Sequence, residues 1–152
     1  MEIKYLTKLK ETPKIGSWEN EGLPEIKIKE LENKLKIKFP LAFKEYLFLA
    51  GEFNDIFDSW NIEFEHLEYY QEEVQESMQN MNLHLKPFFA FATYGGENAL
   101  FFFLDEGDNP PVYGYTEEKL YEDENGKELF YKKVRNSFSE EIELKIKNAL
   151  NK

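Results

Sequence analysis

Residues 88–104, FFAFATYGGENALFFFL, contain the longest run of apolar and aromatic residues in this chain. The runs 88–93 and 99–104 are apolar and aromatic, and their length and composition are typical of β-strands. Residues 94–98 between them contain two adjacent glycines, which supply the backbone freedom of a hairpin turn. The stretch therefore predicts an antiparallel β-hairpin.

Further strand signals follow this hairpin. A turn over residues 105–110 leads into Pro111-Val112-Tyr113-Gly114-Tyr115, where proline and glycine favour the edge of a sheet. The dipeptide Asn125-Gly126 is typical of a two-residue hairpin loop, here between residues 120–121 and 129–131. These segments are expected to continue the hairpin into an antiparallel meander.

Helices are predicted on both sides of the meander. Residues 23–35 carry apolar side chains at helical spacing, and Pro40 opens a second helix that is expected to end at Gly51 in a left-handed conformation. A short strand at 62–64 precedes a third helix, whose apolar face is formed by Leu67, Tyr70, Val74, Met78 and Met81. A capping box at Ser137 and Glu140 begins the last helix, whose apolar stripe is Phe138, Ile142, Ile146 and Leu150.

The order of these elements predicts an α+β fold. It consists of N-terminal helices, a central antiparallel β-meander sheet, and a C-terminal helix packed on the sheet. The length of 152 residues fits a single domain, residues 1–152, because a second core would have too little apolar surface to bury.

The chain has no cysteine, which excludes disulfides, thiolate nucleophiles, zinc ribbons and iron–sulfur clusters, and which fits a reducing compartment. The first eight residues carry charges where a signal peptide needs an uninterrupted apolar stretch. No later segment approaches the roughly 20 apolar residues of a membrane span. We therefore expect a cytoplasmic protein that does not act in a membrane.

Negative charge is concentrated in the middle of the chain. The formal net charge is −11, and residues 45–118 hold sixteen Asp and Glu against one base, Lys86. A field of one sign repels nucleic acid phosphates and anionic lipids, and it attracts basic proteins or cations. The charge pattern thus argues against nucleic acid binding and for a basic protein partner. The alternative is that these carboxylates simply form a solvated exterior.

Three stretches of the sequence have a characteristic order. The first is an amphipathic helix, a Phe-Pro step and a second helix, carried by Ile28, Leu31, Glu32, Leu35, Phe39, Pro40, Phe43, Tyr46 and Leu47. The second is the strand, glycine turn and strand of residues 88–102, with Pro111-Val112 after it. The third is the Ser137-Phe138 pair that opens the last helix.

In this order the stretches resemble the SUKH superfamily. Its founding members are fungal cell-wall assembly regulators, and many bacterial members are immunity proteins against secreted toxins. The resemblance covers residues 23–150 and departs from the family at Ala50-Gly51-Glu52, where an Asn-Gly step usually ends the second helix. It implies an antitoxin, a protein without enzymatic activity that binds a toxin domain, commonly a nuclease, and blocks its active site.

The candidate contact residues are acids in loops near aromatic side chains. They are Glu52, Asp55, Asp58, Glu63, Glu97, Asp105, Glu106 and Asp108. Phe53, Phe57 and Trp60 could add apolar anchors, since aromatic residues are enriched at binding hot spots. The alternative for each of them is packing in the core. For Trp60, core packing is the preferred prediction.

The sequence contains no motif for a metal, a cofactor or catalysis. Residues 105–109 lack the twelve-residue loop and terminal Glu of an EF-hand, and His66 and His84 have no partner at zinc-ligand spacing. Neither a nucleophile elbow nor a phosphate-binding loop occurs. The leading hypothesis is thus an immunity protein that binds a cognate basic toxin. The alternatives are a regulatory scaffold and a carboxylate-dependent hydrolase of a glycan.

Overall fold

An antiparallel sheet with helices on both faces forms the centre of the computed structural model, which describes residues 1–152. The helices are α1 (Thr7–Lys10), α2 (Glu25–Leu35), α3 (Leu41–Ala50), α4 (Leu67–Asn80) and α5 (Phe138–Leu150), and a 3₁₀ turn at Phe64–His66 precedes α4. The strands are β1 (Lys14–Ile15), β2 (Trp18–Glu19), β3 (Phe88–Tyr94), β4 (Asn98–Phe103), β5 (Val112–Thr116), β6 (Tyr121–Glu122), β7 (Glu128–Leu129) and β8 (Tyr131–Arg135). The predicted α+β fold class is confirmed.

The central sheet has the strand order β3-β4-β5-β8, and every pair is antiparallel. The hairpin predicted over residues 88–104 is confirmed, with Tyr94 opposite Asn98 and Phe89 opposite Phe102. Strands β1 and β2 form a separate hairpin near the N-terminus, as do β6 and β7 before β8.

Both faces of the β3–β4 hairpin are buried, which explains its nearly continuous apolar sequence. On one face Phe91 and Phe102 pack against Phe43 of α3 and Phe138 of α5. The opposite face, which carries Phe101, belongs to a second cluster with Val74 and Met78 of α4. Each fully buried phenylalanine contributes about 1.5–3 kcal/mol relative to an exposed one, so the hairpin holds the two layers together.

The prediction that residues 111–115 lie at a sheet edge is wrong. Strand β5 lies between β4 and β8 and is bonded to both. Gly114 is required there for a different reason, since a Cβ at this position would overlap the hydroxyl and ring of Tyr121. The glycine therefore marks the place where the side chain of Tyr121, which belongs to β6 outside the central sheet, lies directly against the backbone of β5.

Two predictions in the segment after α3 are also wrong. Gly51 has a right-handed conformation, φ −69°, and its missing side chain instead makes room for the Leu47 carbonyl and the side chain of Leu23. Residues 62–64 form no strand, because the N–H of Ile62 donates to the Glu63 carboxylate (3.0 Å) and the 3₁₀ turn starts directly afterwards.

The β6–β7 hairpin is confirmed, but its predicted two-residue loop is not. The loop has five residues, 123–127, because Asp123 Oδ1 accepts the N–H groups of Asn125 (2.8 Å) and Lys127 (2.9 Å). At the start of α5, Ser137 Oγ accepts the N–H of Glu140 as predicted (3.2 Å). The Glu140 carboxylate reaches the N–H of Asn136 rather than that of Ser137.

The first 21 residues, here called the N-terminal arm, are attached to the core through a buried carboxylate. Glu45 of α3 is fully buried and accepts the N–H groups of Lys4 (3.2 Å), Tyr5 (2.9 Å) and Leu6 (3.0 Å). Leu6 and Leu9 of the arm enter the core beside it. Hydrogen bonds to a buried carboxylate are stronger than neutral ones, so Glu45 fixes the course of the arm.

The free edge of β3 is closed by a side chain. The amide of Gln71 in α4 donates to the Ala90 carbonyl (2.7 Å) and accepts the Ala90 N–H (2.7 Å), as a neighbouring strand would. The contact lies where the β3–β4 register shifts. Further along, Asn61 exchanges two backbone hydrogen bonds with Thr93 (2.8 and 3.0 Å).

Candidate functional site

Most of the candidate residues at this site come from the loop of residues 51–63, which connects α3 to the 3₁₀ turn. Asn54 organises the loop from within, since its amide donates to the Ala50 carbonyl and the Tyr46 hydroxyl (both 3.0 Å) and its Oδ1 accepts the N–H of Ile56 (3.2 Å). Burial raises the pKa of Tyr46, so this hydroxyl stays protonated. With Asn54 and Ile56 turned inward, Glu52, Asp55 and Asp58 are left on the surface of the loop.

Two adjoining clefts meet at this loop, and together we call them the acidic groove. The loop cleft, about 290 Å³, is lined by Gly51, Glu52, Phe53, Asn54, Asp55, Phe57, Asp58, Trp60, Ile62 and Glu63. The helix cleft, about 470 Å³, lies between α2 and the start of α4 and is lined by Lys27, Glu30, Leu31, Lys34, Glu52, Glu63, Phe64, Glu65 and Glu68. Glu52 and Glu63 belong to both clefts.

The groove is strongly negative. No basic side chain lines the loop cleft, which has four carboxylates, and two lysines face five glutamates in the helix cleft. Lys34 pairs with Glu68 (3.3 Å), and Lys152 pairs with Asp58 (3.2 Å). Both pairs are well exposed and contribute little because solvent screens them, so a net negative charge remains along the groove.

Glu63 is the most constrained carboxylate of the groove. Burial raises its pKa, but hydrogen bonds from the Tyr70 hydroxyl (2.5 Å) and the Ile62 N–H outweigh burial and hold the pKa below its ordinary value. Glu63 is therefore ionised at neutral pH and fixed in position at the junction of the two clefts. A fixed anion attracts a cationic group without having to be ordered first.

The three aromatic residues proposed as anchors differ in exposure. Phe57 is buried against Tyr46 (5.9 Å between ring centroids) and Phe91 (6.1 Å), so for this residue core packing is the correct alternative. Trp60 is half-buried and packs against the main core cluster. Phe53 is 40% exposed and is the one ring of the three that is open to a partner.

The other four predicted acids lie outside the groove. Asp105 and Glu106 are paired with Lys86 (2.9 and 3.8 Å), the only base of the acidic segment, and Glu106 also accepts a hydrogen bond from Tyr113 (3.0 Å). The carbonyl of Asp108 accepts the N–H of Ala42 at the start of α3. Glu97 is exposed in the β3–β4 turn. The structure thus brings together four of the eight acids.

Sequence reasoning missed Trp18 of β2, the most exposed aromatic residue of the chain at 61%. Its ring contacts that of Phe53, with centroids 6.0 Å apart and an angle of 62°. The available signal was a tryptophan in a polar turn sequence, Gly16-Ser17-Trp18-Glu19-Asn20, where no core helix or strand is predicted to bury it.

No group of three or more His, Asp or Glu side chains is arranged to hold a metal ion. None of the helices has both the length and the apolar character needed to cross a bilayer. The model of the SMI1/KNR4 family (SUKH-1) matches residues 22–143, a range that contains the whole loop of residues 51–63 but not Trp18. No curated protein matches the chain.

Proposed function

The chain belongs to the SMI1/KNR4 family (SUKH-1), and we propose that it is an immunity protein that binds a toxin domain and blocks its activity. Immunity proteins and regulators of the SMI1/KNR4 type are both consistent with this family. On this proposal the protein acts in the cytoplasm by binding another protein and catalyses no reaction.

The unpaired negative charge of the acidic groove is the observation that supports a basic partner. Glu52, Asp55 and Glu63 lie in clefts where carboxylates outnumber bases, and none of the three forms an ion pair. Opposite charges on two surfaces raise the association rate and disfavour partners of the wrong sign. The partner that fits this groove is a basic protein.

A nuclease toxin has the required chemistry. An enzyme that binds a polyanionic substrate presents lysine and arginine side chains to the phosphates. A fixed row of carboxylates on a competing protein can occupy the same basic surface and exclude the nucleic acid. We do not propose direct contacts for the other predicted acids, which contribute only to the negative field around the groove: Glu97, Asp105, Glu106 and Asp108.

The proposal is tested with the toxin domain encoded next to the gene of this protein. The triple variant Glu52→Gln, Asp55→Asn, Asp58→Asn removes three charges from the loop cleft without changing side-chain size. We expect its association rate at low salt to fall about tenfold and its rate to depend less on salt than that of the wild type. Stopped-flow mixing over a range of NaCl concentrations measures both quantities.

The matched control removes the same charge from another exposed surface, the β6–β7 hairpin, by Glu122→Gln, Glu124→Gln and Glu128→Gln. These three carboxylates are exposed and form no ion pair. We expect the control to change the association rate less than about twofold. Equal effects of the two triple variants would show that only net charge matters and would refute the groove as the binding site.

The same family match also fits a regulatory scaffold that docks cellular proteins. The location of the gene separates the two functions, because an immunity gene is expected to lie beside a toxin gene. Failure of the wild-type protein to bind or inhibit the adjacent gene product would favour the scaffold.

A further inference from the structure

We propose that Trp18 and Phe53 form an aromatic clamp that binds an arginine side chain of the partner protein. This inference rests on the proposed function and deepens it, because it names the kind of residue that anchors the partner at the edge of the acidic groove. It also assigns a role to the N-terminal arm, all of which precedes the family-matched residues.

The clamp is an exposed aromatic pair. Trp18 and Phe53 are 61% and 40% exposed, and no other two exposed aromatic residues of the chain contact each other. A protein this size can bury large aromatic side chains, as it does with Phe43 and Phe102. Rings left at the surface in mutual contact therefore form an apolar patch with a defined place for a partner.

Backbone bonds between the arm and the loop hold the pair in position. The N–H of Glu21 donates to the Phe53 carbonyl (2.8 Å), and the N–H of Phe53 donates to the Glu21 carbonyl (3.0 Å). Trp18 pairs with Ile15 in the β1–β2 hairpin, and Ile15 is buried in the core. Because the backbone that carries both rings is fixed before binding, no backbone ordering is needed when a partner docks.

The charges beside the pair favour a cation over an apolar group. Glu52 and Asp55 line the same cleft as Phe53, and Glu21 is the backbone bridge partner of Phe53. All three carboxylates are exposed and none forms an ion pair. A cation above an aromatic ring is attracted by the ring's quadrupole, and nearby carboxylates add to this attraction.

Arginine fits these groups better than lysine. Its planar guanidinium stacks on an aromatic face and at the same time offers N–H donors at its edge to carboxylates. The ammonium group of lysine is a compact, strongly hydrated charge and makes only part of these contacts.

The first experiment uses hexa-arginine peptide as the probe and does not require the toxin. In a Trp60→Phe variant, Trp18 is the only indole, so its fluorescence reports binding at the clamp. We expect a saturable change in emission, a dissociation constant about threefold higher in the Phe53→Ala form, and weaker binding of hexa-lysine. The matched control is Tyr94→Ala, which removes an even more exposed aromatic ring at the end of β3 and is expected to leave the dissociation constant within about twofold.

The opposite results overturn the clamp. They are an absent or non-saturable response of Trp18, equal effects of Phe53→Ala and Tyr94→Ala, or equal binding of the two peptides. A Trp18→Ala variant, in which Trp60 of the loop cleft alone fluoresces, is expected to bind the peptide with a dissociation constant at least about threefold higher. An unchanged dissociation constant would show that the peptide binds in the groove without the clamp, and would overturn the clamp.

The toxin experiment separates this inference from the proposed function. With the adjacent gene's toxin domain, we expect Trp18→Ala to weaken binding about thirtyfold and Tyr94→Ala less than twofold, as for a hot spot and a bystander. Toxin binding that Trp18→Ala leaves unchanged overturns the clamp and keeps the proposed function. No binding of the toxin by the wild type overturns the proposed function, while the peptide experiment still decides whether the clamp binds arginine.

Discussion

Replacing Glu45 by alanine is expected to loosen the N-terminal arm and to lower the stability of the whole protein. The fully buried carboxylate accepts three backbone N–H groups, those of Lys4, Tyr5 and Leu6. A hydrogen bond to a charged group contributes about 1.5–3 kcal/mol, and an N–H left buried without a partner costs about 1–3 kcal/mol. Because the bond to Lys4 is longer and nearer the surface, we expect a total loss of about 3–5 kcal/mol.

Glu45→Gln is expected to lose less, about 1–2 kcal/mol, because the amide oxygen still accepts the N–H groups of Tyr5 and Leu6. Urea unfolding followed by circular dichroism measures the free energy of unfolding, and hydrogen exchange measures the protection of the amides of residues 4–6. Glu72→Ala is the control, since Glu72 is an exposed helical glutamate without an ion pair. A loss below about 1 kcal/mol in Glu45→Ala, with unchanged amide protection, would refute the anchoring role.

Three further variants test other parts of the structure. Tyr70→Phe removes a hydrogen bond to Glu63, so the pKa of this carboxyl should rise in a ¹³C NMR titration. Because the pKa of Glu63 is depressed in the folded wild type, its ionisation stabilises the protein above the unfolded-state pKa, and this stability is lost as pH falls through the folded-state pKa. The variant should therefore lose less stability than the wild type on acidification. Gly114→Ala should cost about 1–3 kcal/mol in urea unfolding, and less in a Tyr121→Leu background where the overlap is relieved. Gln71→Ala should cost about 2–4 kcal/mol by the same measurement, because two backbone groups of β3 lose their partner. The Tyr70→Phe expectation is contradicted by an unchanged pKa of Glu63, and the Gly114→Ala expectation by equal costs in the two backgrounds. The Gln71→Ala expectation is contradicted by a stability loss below about 0.5 kcal/mol.

The parts of the fold that could be predicted are those that local sequence determines. The hairpin of residues 88–104 and the two long helices α4 and α5 have strong composition, periodicity or capping signals, and each is present. The place of β5 inside the sheet could not be predicted, because it depends on the long-range pairing with β8. Gly114 suggested an edge, but a glycine is needed there because the side chain of Tyr121 packs directly on the β5 backbone, which is a tertiary contact.

The part of the candidate site that could be predicted is likewise the part formed by residues close together in the sequence. Glu52, Asp55, Asp58 and Glu63 come together because they lie on one loop whose ends are fixed by α3 and α4. Pairing of Asp105 with Lys86 depends on the side-chain geometry of distant residues, which a charge count along the chain does not reveal. The contribution of the N-terminal arm was missed because its helix and strands have only two to four residues each, and long-range hydrogen bonds to Glu45 hold it in place.

The contact between Gln71 and Ala90 limits how other chains can approach the sheet. Many proteins capture an extended peptide by adding it as a new strand, and the same reaction between identical chains begins amyloid-like stacking. Along β3 a side-chain amide already occupies the donor and acceptor that an incoming backbone needs. A partner at this border must be recognised through its side chains, and copies of the protein crowded together gain little by joining their sheets here.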